Sequence, residues 1–225
     1  MRAVIMAGGR GLRLHPLTKS TCKPMLHVKH KPILQTIVEG MADQGISKIT
    51  MVVNYKRDLI QGYFQSGEKF GIEIEYLIED EPMGTAGSLR SIDMECPFIV
   101  SNADVISDID YFHMVDHHYR YNTPKITIAA ALHQQQIRFG VIERKENLLS
   151  SIQEKPICSW EVNAGVYIVD PECISLIPPH QRFDMTELIG ACLKRDPESV
   201  GVYTLNGYWV DIGTFEDLSS ANTCT

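Results

Sequence analysis

Short apolar runs that stop at glycine, asparagine or aspartate alternate along this chain with segments whose apolar residues recur every three or four positions. Residues 2–7 (RAVIMA) form such a run and empty into glycine, which predicts a buried strand opening into a loop. Ile33, Ile37 and Met41 follow Pro32 at helical spacing and Gly45 closes the segment, so a helix is predicted with proline at its start and glycine past its end. The same reading gives strands at 48–54 (KITMVVN), 72–78 and 97–101, and helices at 57–65, 84–92 and 110–121. Such alternation implies an α/β fold: a Rossmann-like, mostly parallel sheet with helices on both faces, whose ligands collect at the carboxyl ends of the strands. Further on, KITIAAALH, FGVIER, LLSSIQEK and VNAGVYIVD are β-like with no long helix between them, so this half should make the sheet mixed. A helix at 185–195, short strands at 200–205 and 208–212 and a helix from 214 onward complete the pattern, and no linker or repeat divides the chain into two domains.

Composition narrows the partners. Hydrophobic residues make up 44% of the 225 residues and charged residues 22%, the balance of a folded globular protein with a substantial core. A formal net charge of -7 leaves no general basic surface for nucleic acid, so any cationic site has to be local. No apolar run approaches the roughly 18 residues a membrane helix needs, and no secretion-type apolar stretch precedes the first glycines, so a cytoplasmic protein without membrane contact is expected. Cysteines at 22, 96, 158, 173, 192 and 224 lack C-x-x-C spacing and are expected to be reduced, structural thiols. His113 and His117 have the spacing of two metal ligands on one helix face, but H-E-x-x-H is absent and the stretch reads as a solvated helix.

The cations that matter gather where the first strand ends. Residues 6–25, MAGGRGLRLHPLTKSTCKPM, set Gly8, Gly9 and Gly11 among Arg10, Arg13, Lys19 and Lys23. Glycines let backbone N–H groups approach an anion closely, and Arg13 and Lys23 add charged donors, so the stretch suits a polyphosphate. Neither common nucleotide loop fits: Leu14 sits where G-x-G-x-x-G needs its third glycine, Asn54 stands where an acid would hold a ribose, and no glycine-lysine-hydroxyl trio follows.

With C-K-P-M, the string G-G-R-G-L-R-L-H-P-L-T closely resembles the signature of the sugar-1-phosphate nucleotidylyltransferases, or NDP-sugar pyrophosphorylases. The resemblance runs the length of the chain, through EPMGTAG at 81–87, NAD at 102–104, FGVI at 139–142, EKP at 154–156, NAGVY at 163–167 and WVDIGT at 209–214. It implies that the phosphate of a sugar 1-phosphate attacks the α-phosphorus of a nucleoside triphosphate, releasing pyrophosphate and forming an NDP-sugar without a covalent enzyme intermediate. Two polyanions must then be held together, so positioning and cations should carry most of the catalysis.

By this resemblance Arg13 would hold the β and γ phosphates, Lys23 the phosphates near the reacting centre and Lys155 the sugar phosphate. Asp104 and Asp211 each end a predicted strand, and two hard oxygen ligands plus phosphate oxygens suit Mg2+. Ala7, Gly8, Gly9, Gly11, Glu81, Gly84, Thr85 and Gly87 are the implied nucleotide contacts, and Gly140, Glu154 and Asn163 join Lys155 around the sugar phosphate. The GTAG form after Glu81 and Pro82 looks most like guanylyltransferases, which favours GTP.

Two positions depart from the family pattern: Cys22 replaces a proline, and Ala103 replaces a glycine, adding a methyl expected near the nucleotide. The chain is short for the family and resembles its compact members, which activate mannose, heptose, amino sugars or N-acetylmuramate; the resemblance leaves a homo-oligomer open for this chain, although the C-terminal helices or β-helix domain that build some of the family's oligomers are not in it. FDMTEL at 183–188 resembles guanylyltransferase domains attached to paired CBS modules that use glucosamine 1-phosphate, so residues 1–225 are expected to be one catalytic domain, excised from a longer protein if that likeness holds. Two other readings stand beside this one: a uridylyl- or cytidylyltransferase for another sugar phosphate or phosphocholine, and a silent regulatory subunit that binds nucleotide sugar. Arg13, Lys23, Asp104 and Asp211 are all present, which argues against the silent subunit.

Overall fold

Successive residues of the central strands bury on opposite faces, and this alternation builds two apolar cores on one sheet. The structure is a computed structural model and describes residues 1–120 and 124–223. Its strands are β1 (Arg2–Met6), β2 (His27–Val28), β3 (Lys31–Pro32), β4 (Lys48–Val53), β5 (Glu73–Ile78), β6 (Phe98–Asn102), β7 (Val105–Ser107), β8 (Ile126–Gln136), β9 (Gly140–Lys145), β10 (Leu148–Glu154), β11 (Ile157–Val169), β12 (Val200–Thr204) and β13 (Trp209–Asp211). Its α-helices are α1 (Leu17–Ser20), α2 (Ile33–Asp43), α3 (Arg57–Phe64), α4 (Tyr111–Arg120), α5 (Met185–Arg195) and α6 (Phe215–Thr223). The main sheet has seven strands in the order β12-β8-β11-β6-β1-β4-β5. β6, β1, β4 and β5 run parallel, β11 lies antiparallel between β6 and β8, and β12 is parallel to β8. This is the mixed, mostly parallel α/β sheet that the alternation predicts.

Ala3 and Ile5 of β1, Ile49, Met51 and Val53 of β4 and Ile99 of β6 face one core, where Ile33, Leu34, Ile37, Val38 and Met41 of α2 meet them. Val4, Val52, Phe98 and Val100 face the other, under Met185, Leu188, Ile189 and Cys192 of α5. A sheet covered on both sides requires strands that read as unbroken apolar runs, the pattern seen in RAVIM and KITMVV.

One predicted element differs in the structure. Residues 84–92 do not form an α-helix: a turn leads into a 3-10 helix at Gly87–Ser91. Gly84 adopts φ 81, and the Ala86 and Gly87 N–H groups both donate to Phe183 O, so the backbone is held by a distant segment instead of by its own helical ladder. The four β-like runs each form a strand, β8, β9, β10 and β11; β8 and β11 extend beyond their runs, to Gln136 and from Ile157, and pair from Gln136↔Ile157 to Ile126↔Val169 with a bulge between Asn163 and Tyr167. The helix predicted to reach Tyr121 is described to Arg120; Tyr121 and Cys224 lie outside the described residues.

Candidate active site

The parallel strands β1, β4, β5 and β6 all end on one rim, and their exits build a cleft of about 560 Å³. Gly8, Gly9, Arg10, Gly11, Leu12 and Arg13 line one side, Glu79, Pro82, Gly84 and Thr85 another, and Asn102 and Asp104 the floor towards Lys23. Gly8 approaches Glu79 closely: a Cβ there would stand 2.8 Å from Glu79 Oε2 and displace that carboxyl. Gly11 is left-handed at φ 60, and a Cβ on it would meet Lys23 Cβ at 3.0 Å and Thr18 Cγ2 at 3.1 Å. The Thr18 hydroxyl donates to Gly11 O at 2.9 Å and fixes the turn.

The two acids meet through a small ladder. β7 and β13 pair antiparallel with Asp211 opposite Val105, and the Ile212 N–H donates to Asp104 O at 3.0 Å. Lys23 inserts its ammonium between them, hydrogen-bonded to Asp104 Oδ2 and 3.5 Å from Asp211 Oδ1, with its side chain only 11% exposed. Burial pushes the Asp211 carboxyl above its ordinary value and the Asp104 charge adds to this, while Lys23 and Arg13 pull it back. The Arg13 guanidinium packs over Gly213, within 3.3–3.4 Å of where a Cβ would project.

Asp104 Oδ1 is buried without a hydrogen-bond donor, which is costly for a carboxylate oxygen unless a further cation or donor reaches it. Among the described residues no group of three His, Cys, Asp or Glu could hold a metal ion by itself. Two carboxylates completed by oxygens of a bound phosphate are the usual manner of holding Mg2+, and this pair fits it.

The family model for nucleotidyl transferase matches residues 2–225. The chain belongs to the nucleotidyl transferase family. A mannose-1-phosphate guanyltransferase of Yarrowia lipolytica is 33% identical over 234 residues, covering 100% of this chain and 63% of the relative. The chain thus spans somewhat under two thirds of the length of the curated relatives it matches. A Bacillus anthracis structure described as a glucose-1-phosphate thymidylyltransferase, solved with sucrose, has a TM-score of 0.78 at 25% identity over 99% of this chain and 94% of that one. HddC from Yersinia pseudotuberculosis, complexed with GMP-PN, has a TM-score of 0.73 at 26% identity over 98% of this chain and 97% of that one.

In this member of the family the motif residues take different stations. Gly8, Gly9, Gly11, Arg13, Lys23, Gly84, Thr85 and Asp104 line the cleft, with Asp211 against Lys23. Ala7 is buried beneath it, its N–H donating to Val52 O at 2.8 Å. Gly87 packs under the 181–183 segment, a Cβ there meeting Gln181 O at 3.2 Å, and Glu81 is exposed outside the cleft lining. The methyl of Ala103 corrects the expectation attached to it: the residue is 3% exposed and belongs to the core, as does Cys22, so neither departure reaches the cleft.

Gly140, Glu154 and Lys155 are not among the cleft's lining residues. They stand at the base of the β9–β10 hairpin, where Glu154 pairs with Gly140, the Lys155 N–H donates to Phe139 O, and every residue of both strands is exposed. Asn163 sits at the β11 bulge, its amide donating to the Tyr167 hydroxyl at 2.8 Å and accepting from the Gly165 N–H at 3.0 Å. Gly165, at φ 76, approaches so near Asn102 that a Cβ would lie 2.8 Å from Asn102 Nδ2, which brings the bulge against the cleft floor. His113 and His117 both meet Tyr203: His113 Nδ1 shares a 3.1 Å hydrogen bond with the Tyr203 hydroxyl, and the His117 ring packs edge-on against Tyr203.

Sequence reasoning missed Glu79 and Arg182. Glu79 follows β5 directly, is 8% exposed, and turns its carboxyl towards Gly8 while accepting from the Ser88 hydroxyl. Asn54, which fails as a ribose acid, instead donates its amide to Glu79 O at 2.8 Å. Burial raises the Glu79 pKa, and hydrogen bonds from Ser88 and the Met83 backbone oppose that rise. An acid at a strand's carboxyl end is the signal that could have singled it out over Glu81. Arg182 had no comparable signal, because its place in the cleft depends on where the segment before α5 docks.

Proposed function

We propose that this chain transfers GMP from GTP to a sugar 1-phosphate, giving a GDP-sugar and pyrophosphate, with mannose 1-phosphate as the first candidate. One observation carries the reading: the glycine loop, Arg13, Lys23 and Asp104 line one cleft at the carboxyl rim of the sheet, and Asp211, some two hundred residues from the loop in sequence, stands 3.5 Å from the Lys23 ammonium. A phosphate oxygen of the sugar 1-phosphate attacks the α-phosphorus in line, the bond to the oxygen bridging α and β phosphorus breaks, and that oxygen leaves with pyrophosphate. Backbone N–H groups of Gly8 to Gly11 and the Arg13 guanidinium bind and orient the triphosphate and stabilise charge on the departing pyrophosphate. Lys23 holds the phosphates at the reacting centre, and Asn163 with the Glu154–Lys155 edge of the hairpin holds the sugar phosphate. Asp104 and Asp211 would hold Mg2+, which when bound would supply further neutralisation of phosphate charge.

Glu79 supports guanine as the base. Guanine presents adjacent N1–H and N2–H donors that one carboxylate can accept together, whereas adenine turns an acceptor nitrogen towards it. The curated relatives named as mannose-1-phosphate guanyltransferases favour mannose over heptose or glucosamine. The cysteines among the described residues are unbridged, which suits the reducing cytoplasm.

The test is a matrix of GTP, UTP, CTP, ATP and dTTP against mannose, glucosamine and heptose 1-phosphates with Mg2+, read as pyrophosphate release. GTP with mannose 1-phosphate should lead every other nucleotide by about a hundredfold or more in kcat/KM, as site-built hydrogen-bond discrimination permits. A lead for UTP or CTP would transfer the chain to the other transferase class, and silence with every pair would favour a regulatory subunit.

A further inference from the structure

Thr85 and Asp184 both line the cleft, and the Thr85 N–H and hydroxyl are engaged by the start of α5. The Thr85 N–H donates to Asp184 Oδ1 at 3.0 Å, its hydroxyl reaches the same oxygen at 3.5 Å, and its Oγ1 accepts the Met185 N–H at 2.8 Å. That last bond satisfies one of the N–H groups that the first turn of α5 leaves without a helical partner. Around it, Phe183 O accepts from Ala86 and Gly87 N–H, and the Phe183 N–H donates to Met83 O, all at 2.9 Å. Asp184 also donates its own N–H to Glu187 Oε2 at 2.7 Å, one half of a capping box, and its Oδ2 receives Arg182 at 3.3 Å. A Cβ on Gly84 would stand 2.6 Å from both Asp184 Oδ1 and Phe183 O, so the loop and the helix start touch with no space between them.

We propose that Thr85 and Asp184 are positioning residues, a latch that ties the 84–87 loop of the nucleotide site to the start of α5. The inference rests on the guanylyltransferase reading above and deepens it: the loop has no helical ladder of its own, so its height against the cleft is set by α5. The far side of α5 is locked into the core by Met185, Leu188, Ile189 and Cys192, and the latch transmits that rigidity to the wall of the cleft. Nucleotide affinity, and not the chemical step, therefore depends on these two side chains.

T85V removes the hydroxyl at nearly constant volume, and T85S keeps it. In T85V the KM for GTP should rise roughly tenfold, as expected for losing about one to two net hydrogen bonds, while kcat and the KM for the sugar phosphate stay within about twofold. T85S should return the KM for GTP to near the wild-type value, and amide hydrogen exchange at 84–87 should quicken in T85V and not in T85S. T85A and D184A are the second variants should valine prevent folding, and both should behave as T85V. An unchanged KM for GTP, or equal losses in both KM values and kcat together with a lowered Tm, overturns the latch. Wild-type protein inert with every nucleotide and sugar pair overturns the reading it rests on, and in that event unchanged exchange at 84–87 in T85V still overturns the latch by itself.

Discussion

Most of the local charge balance turns on Lys23. Its buried ammonium lies between Asp104 and Asp211, so the paired acids can approach without a bound cation, and Arg13 adds a second positive charge from above. K23M should therefore abolish turnover while leaving a folded protein, and near-normal pyrophosphate release from K23M would refute the role. The same variant should push the Asp211 pKa further up, because Lys23 is one of the groups that holds it down; NMR titration of the Asp211 carboxyl checks this. A carboxyl whose folded pKa is raised stabilises the fold fully below its unfolded value, about 3.9, and loses that contribution as pH climbs through the folded value. K23M should accordingly lose more Tm than the wild type between acid and neutral pH; a constant difference in Tm across that range would contradict the placement of the ion pair.

Among the elements, the loop from β1 is where backbone geometry decides most. Gly11 is left-handed and its missing Cβ leaves room for Lys23 and Thr18, so G11A combines an unfavourable φ with a contact at 3.0 Å. The expected cost is about 1–3 kcal/mol, seen as a lower denaturation midpoint, with a loss of activity larger than the loss of stability because Lys23 is displaced. G9A is the control, since nothing lies within 4 Å of a Cβ there. Equal stability of G11A and G9A would show that the tight approach at Gly11 carries no strain. The β5 exit matters in the same manner: Glu79 reaches the cleft because Asn54 at the neighbouring strand end holds its backbone.

For the whole molecule, the two cores and the hairpin have separate duties. Both faces of the sheet are sealed by helices, while β9 and β10 form an isolated pair with all their side chains exposed, and a two-stranded pair contributes little stability by itself. Replacing residues 140–154 by a short turn should leave Tm within a few degrees of the wild type and keep GTP binding, yet abolish transfer to the sugar phosphate. By contrast L188A, which empties a fully buried site in the second core, should cost about 2–5 kcal/mol. Calorimetry and equilibrium GTP binding separate the two outcomes; a hairpin deletion that retains full transfer would remove Gly140 and Glu154 from the site.

The order of strands and helices, the loop after β1 and the ordered motifs were legible in the sequence, because periodic burial and glycine placement are local properties that each segment carries by itself. What the local pattern could not foresee was which distant side chains would meet. The 84–92 segment reads as an α-helix alone, and forms a turn and a 3-10 helix where Phe183 and Asp184 accept the N–H groups of Thr85, Ala86 and Gly87. Glu79 lines the cleft while Glu81 lies outside its lining, and Asp104 stands beside Asp211 with Lys23 between them, through the register of β5 on β4 and of β13 on β7. Register and docking depend on how the two cores close over the sheet, so these contacts were decided by the tertiary structure.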